Sequence, residues 1–199
     1  MCQAASGIDV GFSREHFEQG THMCLVFRDE AVRRRIVAHF VESGVLTGER
    51  VYYFADTAKP TEVVEWLASL DVEVDDAMHR GALTIDPASE TYCPDARFDV
   101  DRMCETVRDA YSRSRESGYP ASRVTGEMTW ALRGFPGSER LMEYESQVNE
   151  VVKTHPITAM CQYDANRFDG GLIFRALQVH PYMVISGQLV RNPYYIRPE

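Results

Sequence analysis

Apolar positions along the chain alternate between two rhythms. Short unbroken apolar runs read as strands: Met23-Cys-Leu-Val-Phe27, Arg50-Val-Tyr-Tyr-Phe-Ala55, Ala82-Leu-Thr-Ile-Asp86, Ile157-Thr-Ala-Met-Cys-Gln-Tyr163 and Tyr182-Met-Val-Ile-Ser186. Between them, apolar residues recur every three or four positions. Val32, Ile36, Val37, Phe40 and Val41 predict a helix over Glu30–Ser43, with Gly44 as its C-terminal stop. Pro60 opens a helix reaching about Leu70, with Glu62 favouring its positive end. Met103, Val107, Ala110 and Tyr111 mark a helix over Phe98–Ser117, and Leu141, Tyr144, Val148 and Val151 mark one over Gly137–Val152. A short helix is expected at Leu172–Val179, and an edge strand from Gln188 to Tyr195, stopped at Pro193. Ser122–Trp130 starts as a strand and turns irregular.

Strand and helix alternating throughout implies an α/β fold of three layers, a mostly parallel sheet with helices on both faces. One domain over 20–199 is expected, preceded by an arm over 1–19 that is loose or forms an edge element. Ligands of such sheets bind beyond the carboxyl ends of the strands. That rule nominates Arg28, Asp56, Glu127, Trp130, Tyr163, Asp164 and Arg167 as ligand-binding residues, a mixed polar and aromatic rim suited to an organic molecule. A phosphate would need a glycine-rich loop with a lysine–hydroxyl pair after the first strand. Here Arg28-Asp-Glu-Ala-Val-Arg33 follows, with no glycine and with two acids that repel phosphate. Ordinary ATP hydrolysis is therefore not expected.

The formal net charge of −9 argues against a direct nucleic-acid surface, which needs a basic stripe. Arg33-Arg34-Arg35 falls within a helical pattern and reads as a solvated face. No apolar run reaches the roughly 18 residues of a membrane span. Met1–Gly11 lacks the basic and apolar regions of a secretory signal. Five scattered cysteines (Cys2, Cys24, Cys93, Cys104 and Cys161) form no disulfide framework and point to a reducing cytoplasm.

His22 and Cys24 share one strand face, and Cys161 joins them if the first and fifth strands are neighbours. Such a trio holds zinc or a soft metal, or consists of two small buried hydrophobes and a hydrogen-bonded histidine. Cysteine in mid-strand lacks the exposed, electropositive setting of a catalytic thiolate. Glu127 either accepts from a ligand or binds an arginine of the fold. Glu143 and Glu145 read as solvated or capping charges, and His180-Pro181 and Asn192-Pro193 as turn or strand-boundary signals.

Several segments together resemble one family. They are Thr21-His-Met-Cys24, Gly48-Glu-Arg-Val-Tyr52, Gly81-Ala-Leu, Arg97-Phe-Asp99, Arg123-Val-Thr-Gly-Glu-Met-Thr-Trp130, Glu143-Tyr-Glu145 with Asn149, Cys161-Gln-Tyr-Asp164 with Arg167-Phe168, and His180-Pro181. This series resembles the MEDS domain, the sensory domain of methanogens, methylotrophs and the dichloromethane-dehalogenase repressor, over about Gly20–Gly187. The resemblance implies a RecA/KaiC-like core without its phosphate loop, and a stand-alone sensor of a small organic compound, often a hydrocarbon derivative. With neither a phosphate loop nor a recognised catalytic motif, no catalysis and no cofactor are expected. The output in transcriptional or stress regulation is expected to pass through a regulatory protein partner, with homodimerisation an open option. With roughly 12 residues after the match, no fused DNA-binding domain is expected. Two other readings stand beside it. One is a degenerate nucleotide-binding or scaffold protein that acts through the acidic helix Gly137–Val152. The other is a metal- or thiol-dependent protein using His22, Cys24 and Cys161.

Overall fold

A computed structural model describes residues 7–14 and 17–197, so Cys2 and, of the expected arm over 1–19, residues 1–6, 15 and 16 lie outside the described residues. Seven strands form one sheet in the order β3-β2-β4-β5-β1-β6-β7. They are β1 (His22–Phe27), β2 (Arg50–Ala55), β3 (Leu83–Pro87), β4 (Ser122–Glu127), β5 (Ile157–Asp164), β6 (Tyr182–Ile185) and β7 (Gln188–Arg191). All neighbours pair in parallel except β7, which turns back antiparallel on β6.

Among the described residues, seven α-helices cover the sheet: α1 (Glu30–Leu46), α2 (Pro60–Ala68), α3 (Val74–His79), α4 (Ala88–Tyr92), α5 (Val100–Glu116), α6 (Leu141–Thr154) and α7 (Gly170–Val179). The period-2 alternation of strands sends their side chains to two cores. Met23, Leu25, Tyr53 and Met160 meet α1, α2 and α3, through residues such as Phe40, Trp66 and Ala77. Cys24, Tyr52, Cys161 and Tyr163 meet α4 to α7, through residues such as Tyr92, Met103, Tyr144 and Ala176. The sheet is therefore covered on both faces, as the strand–helix alternation predicts.

Two short helices, α3 and α4, escape the sequence pattern. α3 buries only Val74 and Ala77, too few positions to set a period. Gly44 does not end α1: the helix continues to Leu46 and is capped at Thr47. A Cβ at Gly44 would lie 2.8 Å from Val51 Cγ2 and 2.9 Å from Arg123 Cδ. The glycine is there so that the helix can lie against the buried Arg123 side chain. That guanidinium is held by Glu49 (2.7 Å) and by the carbonyls of Phe40 (2.9 Å) and Asp9 (3.0 Å). The Asp9 carbonyl also accepts from Ser43 Oγ at 2.6 Å, and Val10 is fully buried, so this stretch lies against α1.

Candidate functional site

The loop from β1 to α1 is only Arg28 and Asp29. Asp29 is the N-cap of α1: its Oδ1 accepts from Ala31 N (2.8 Å) and Val32 N (3.1 Å). The first-turn amides that would hold a phosphate therefore hold the chain's own carboxylate. Glu30 adds a second acid, bound by Arg33 and Arg34.

Arg33 corrects the solvated-face reading of the arginine triplet. Its side chain is 1% exposed and reaches across the carboxyl ends of the strands. Nη1 donates to Tyr53 Oη (3.0 Å), Glu127 Oε1 (3.2 Å) and Gln162 Oε1 (2.8 Å), while Nε and Nη2 bind Glu30. Phe27 and Trp66 flank the guanidinium at 5.5 and 5.7 Å. Glu127 Oε1 also accepts from Tyr53 Oη (2.5 Å), and Oε2 accepts from Asp56 N (3.2 Å), Thr57 N (2.7 Å) and Thr57 Oγ1 (2.5 Å). Of the two roles open to Glu127, the fold-internal arginine pair is the one formed.

The remaining nominated residues do not converge on one rim. Asp56 is tied to Thr129 (2.7 Å) and Arg133 (2.6 Å). Trp130 is buried, stacked on Tyr92 at 4.8 Å and against Phe98 at 4.6 Å. Gly126 makes room for that aromatic layer, since a Cβ there would lie 2.3 Å from Tyr92 Oη. Arg28 and Arg167 are exposed, and Asp164 closes a turn by accepting from Asn166 N at 2.8 Å. Tyr163 is fully buried and points to the opposite face from Glu127, where it donates to Glu145.

Glu145 is the second correction. It is fully buried, not solvated. Glu143 does point outward and pairs with Arg140. Around Glu145 stand His22, Cys161 and His180, all buried, with one donor atom of each within 4.8 Å of the others. Glu145 Oε2 lies 3.2 Å from His22 Nε2, 3.2 Å from Cys161 Sγ and 3.4 Å from His180 Nε2; His22 Nε2 lies 3.4 Å from Cys161 Sγ. Burial opposes ionisation of Glu145; His180 and His22 outweigh it and lower its pKa only when their imidazoles carry the proton on Nε2. Burial, and then the neighbouring His180, lowers the pKa of His22. Burial and the Glu145 charge push the Cys161 thiol well above its ordinary value. β5 places Cys161 directly beside Cys24 in register, but Cys24 Sγ turns to the Tyr182 carbonyl at 3.7 Å, and burial raises its pKa to about 12. The anticipated trio thus keeps His22 and Cys161 and exchanges Cys24 for Glu145 and His180.

A separate groove of 580 Å³ lies between the 3-10 segment after β4 and the first turns of α6 and α7, lined by Ala131, Leu141, Met142 and Leu172 with Ser138, Glu139 and Arg175. No nominated residue lines it.

In known structures the fold recurs in a KaiC-like protein from Pyrococcus horikoshii OT3 (TM-score 0.64, 14% identity, 90% of this chain and 80% of that one). It recurs also in the flagellar accessory protein FlaH of Methanocaldococcus jannaschii (TM-score 0.65, 12% identity, 94% and 84%). These likenesses establish the RecA-like core. The transcriptional repressor DcmR of Methylorubrum extorquens is 23% identical over 160 residues, covering 80% of this chain; the chain spans 57% of the repressor's length. Residues 21–181 match the model of the MEDS family, described as the methanogen/methylotroph, DcmR sensory domain. With four-fifths of the chain inside that match, and with its phosphate position filled by Asp29, the protein belongs to the MEDS family of sensory domains.

Proposed function

We propose that the chain is a sensory domain that binds a small organic molecule in the Ala131–Leu141–Met142–Leu172 groove and signals to a regulatory protein partner, in transcriptional control of the kind DcmR serves. The carrying observation is the groove itself. Its 580 Å³ falls in the size range of small-molecule sites (roughly 300–1,000 Å³), and it lies at the carboxyl side of β4 and β5, where open α/β sheets take ligands. Apolar walls suit a hydrocarbon portion, and Arg175 suits one polar or anionic handle. The groove shares the 3-10 segment Met128–Arg133 with the strand-end network: Ala131 lines it, while Thr129 and Arg133 bind Asp56. Occupancy would therefore be felt at the carboxyl edge of β2. The four cysteines among the described residues are free and buried, which suits a reducing cytoplasm.

A thermal-shift panel of short halogenated, hydroxylated and carboxylated hydrocarbons tests this reading. At least one class should raise the melting temperature of the wild-type chain, since ligand binding stabilises by mass action. Met142→Trp, which fills the groove, should remove the shift while keeping the fold. A panel that moves neither protein, or shifts both equally, would sink the groove as the sensing site.

A further inference from the structure

The His22–Glu145–Cys161–His180 cluster does not satisfy its own hydrogen-bonding needs. Asn149 Nδ2 donates to the Val179 carbonyl at 2.8 Å, which turns Asn149 Oδ1 toward His22. The 2.9 Å contact of His22 Nδ1 with that oxygen therefore requires the proton on Nδ1. His180 Nδ1 lies 2.7 Å from the Ala176 carbonyl and must likewise carry its proton. Both neutral rings are thus locked in the same tautomer, with the bare Nε2 of each aimed at Glu145 Oε2. His180 Nε2 is buried and makes no hydrogen bond. Three lone-pair atoms face one another, and the only proton within the set is the one on Cys161. Protonating one ring leaves the other nitrogen bare. Protonating both leaves a net positive charge in a site without solvent. Among the described residues, neither lysine nor arginine pairs with any of the four.

We infer that this cluster is a binding site for one divalent transition-metal ion of the zinc class. Two neutral imidazoles, one carboxylate and one thiolate carry a charge of about −2, which one divalent ion cancels. On binding, the ion accepts lone pairs from both Nε2 atoms, Glu145 Oε2 and Cys161 Sγ, and the thiol proton leaves to solvent, one proton per ion. Donor atoms on a tetrahedron around zinc are separated by roughly 3.3–3.8 Å, given bonds of about 2.0–2.3 Å. Four of the cluster's contacts, at 3.2 to 3.4 Å, already lie near that spacing. A mixed nitrogen, oxygen and sulfur set favours zinc over the oxygen-seeking calcium and magnesium.

The outer partners also match a metal centre, where ligating histidines donate their second N–H to a carbonyl or carboxylate. Asn149 and the Ala176 carbonyl orient the rings, and Tyr163 donates to Glu145 Oε1. A groove of 620 Å³ lined by Asn149, Pro181, Tyr182 and Arg191 borders the cluster through Asn149, which binds His22. It shares no residue with the organic-ligand groove. The ion would clip together β1, β5, α6 and the α7–β6 junction, closing the site to further ligands.

The full-length chain, stripped with a chelator, should take up one equivalent of cobalt(II) or zinc(II), releasing about one proton per ion in weakly buffered solution. Bound cobalt should show a thiolate-to-metal charge-transfer band. Cys161→Ser should lose the band with its circular dichroism unchanged, and Cys24→Ala should keep it. Asn149→Ala, a positioning change, should weaken zinc binding about 10–100-fold. If Cys161→Ser does not fold, the wild-type band together with its retention in Cys24→Ala still reports the ligating thiol. A folded, stripped wild-type chain that takes up no stoichiometric cobalt or zinc overturns the proposal, as does a cobalt band that survives in folded Cys161→Ser.

Discussion

The two faces of the sheet each bury a glutamate among polar side chains, and only one of the two arrangements is complete. Glu127 receives hydrogen atoms from Tyr53, Arg33, the Asp56 and Thr57 amides and the Thr57 hydroxyl, and a resident guanidinium balances its charge. Glu145 receives hydrogens from Tyr163 and Cys161, and then meets two imidazole nitrogens whose rings have committed their protons elsewhere. The same residue type, equally hidden from water, thus serves two ends. On the α1 face it ties Arg33 of α1 to the carboxyl end of β2. On the α6 face it belongs to a cluster that awaits a cation. A buried carboxylate therefore says little alone; its meaning lies in whether its partners bring protons or lone pairs.

The largest effect should come from breaking the complete cluster. Arg33→Ala strands Glu127, so it should cost about 3–5 kcal/mol in urea unfolding. Because the clusters lie on opposite faces, the zinc-dependent stabilisation of this variant should match the wild type's; a difference would mean that the faces are coupled. Next comes the incomplete cluster. Zinc at a thousandfold excess over its dissociation constant should stabilise the wild-type chain by about 4 kcal/mol, read as a melting shift that chelator reverses and Cys161→Ser lacks. Gly44→Ala should then destabilise by about 1–3 kcal/mol despite its better helix propensity, because the new Cβ meets Val51 and Arg123. Stability equal to or above wild type would show that Arg123 can shift. Asp29→Ala should be the mildest, near 1 kcal/mol for the lost N-cap, with no gain of phosphate affinity in calorimetry because Glu30 remains.

The layering, the strands, five of the seven described α-helices and the missing phosphate loop were legible because they follow from local periodicity and from residue types within a few positions. Side-chain partnership was less so. Arg33 sits in a run of three arginines, and nothing local tells which one turns inward; that depends on Tyr53, Glu127 and Gln162, which the sheet brings together. Glu145 did leave a trace. It lies four residues after Leu141 and four before Asn149, inside the apolar stripe with Tyr144 and Val148, where a solvated charge has no place. His180 left none, since its neighbours are set only once β6 lies beside β1. Gly44 read as a stop because a helix-ending glycine is common, whereas this one answers to a close approach from another element.

The position of β1 has a bearing on how the chain is made. It precedes the other six strands of the sheet in the chain, yet its two neighbours, β5 and β6, are drawn from the last third of the sequence. While the intervening strands emerge, the apolar run Met23–Phe27 keeps both edges unpaired, a state prone to adding strands from other molecules. Loop closure over so long a span is slow, so the nascent chain must wait, or be shielded, until Ile157–Ile185 arrive.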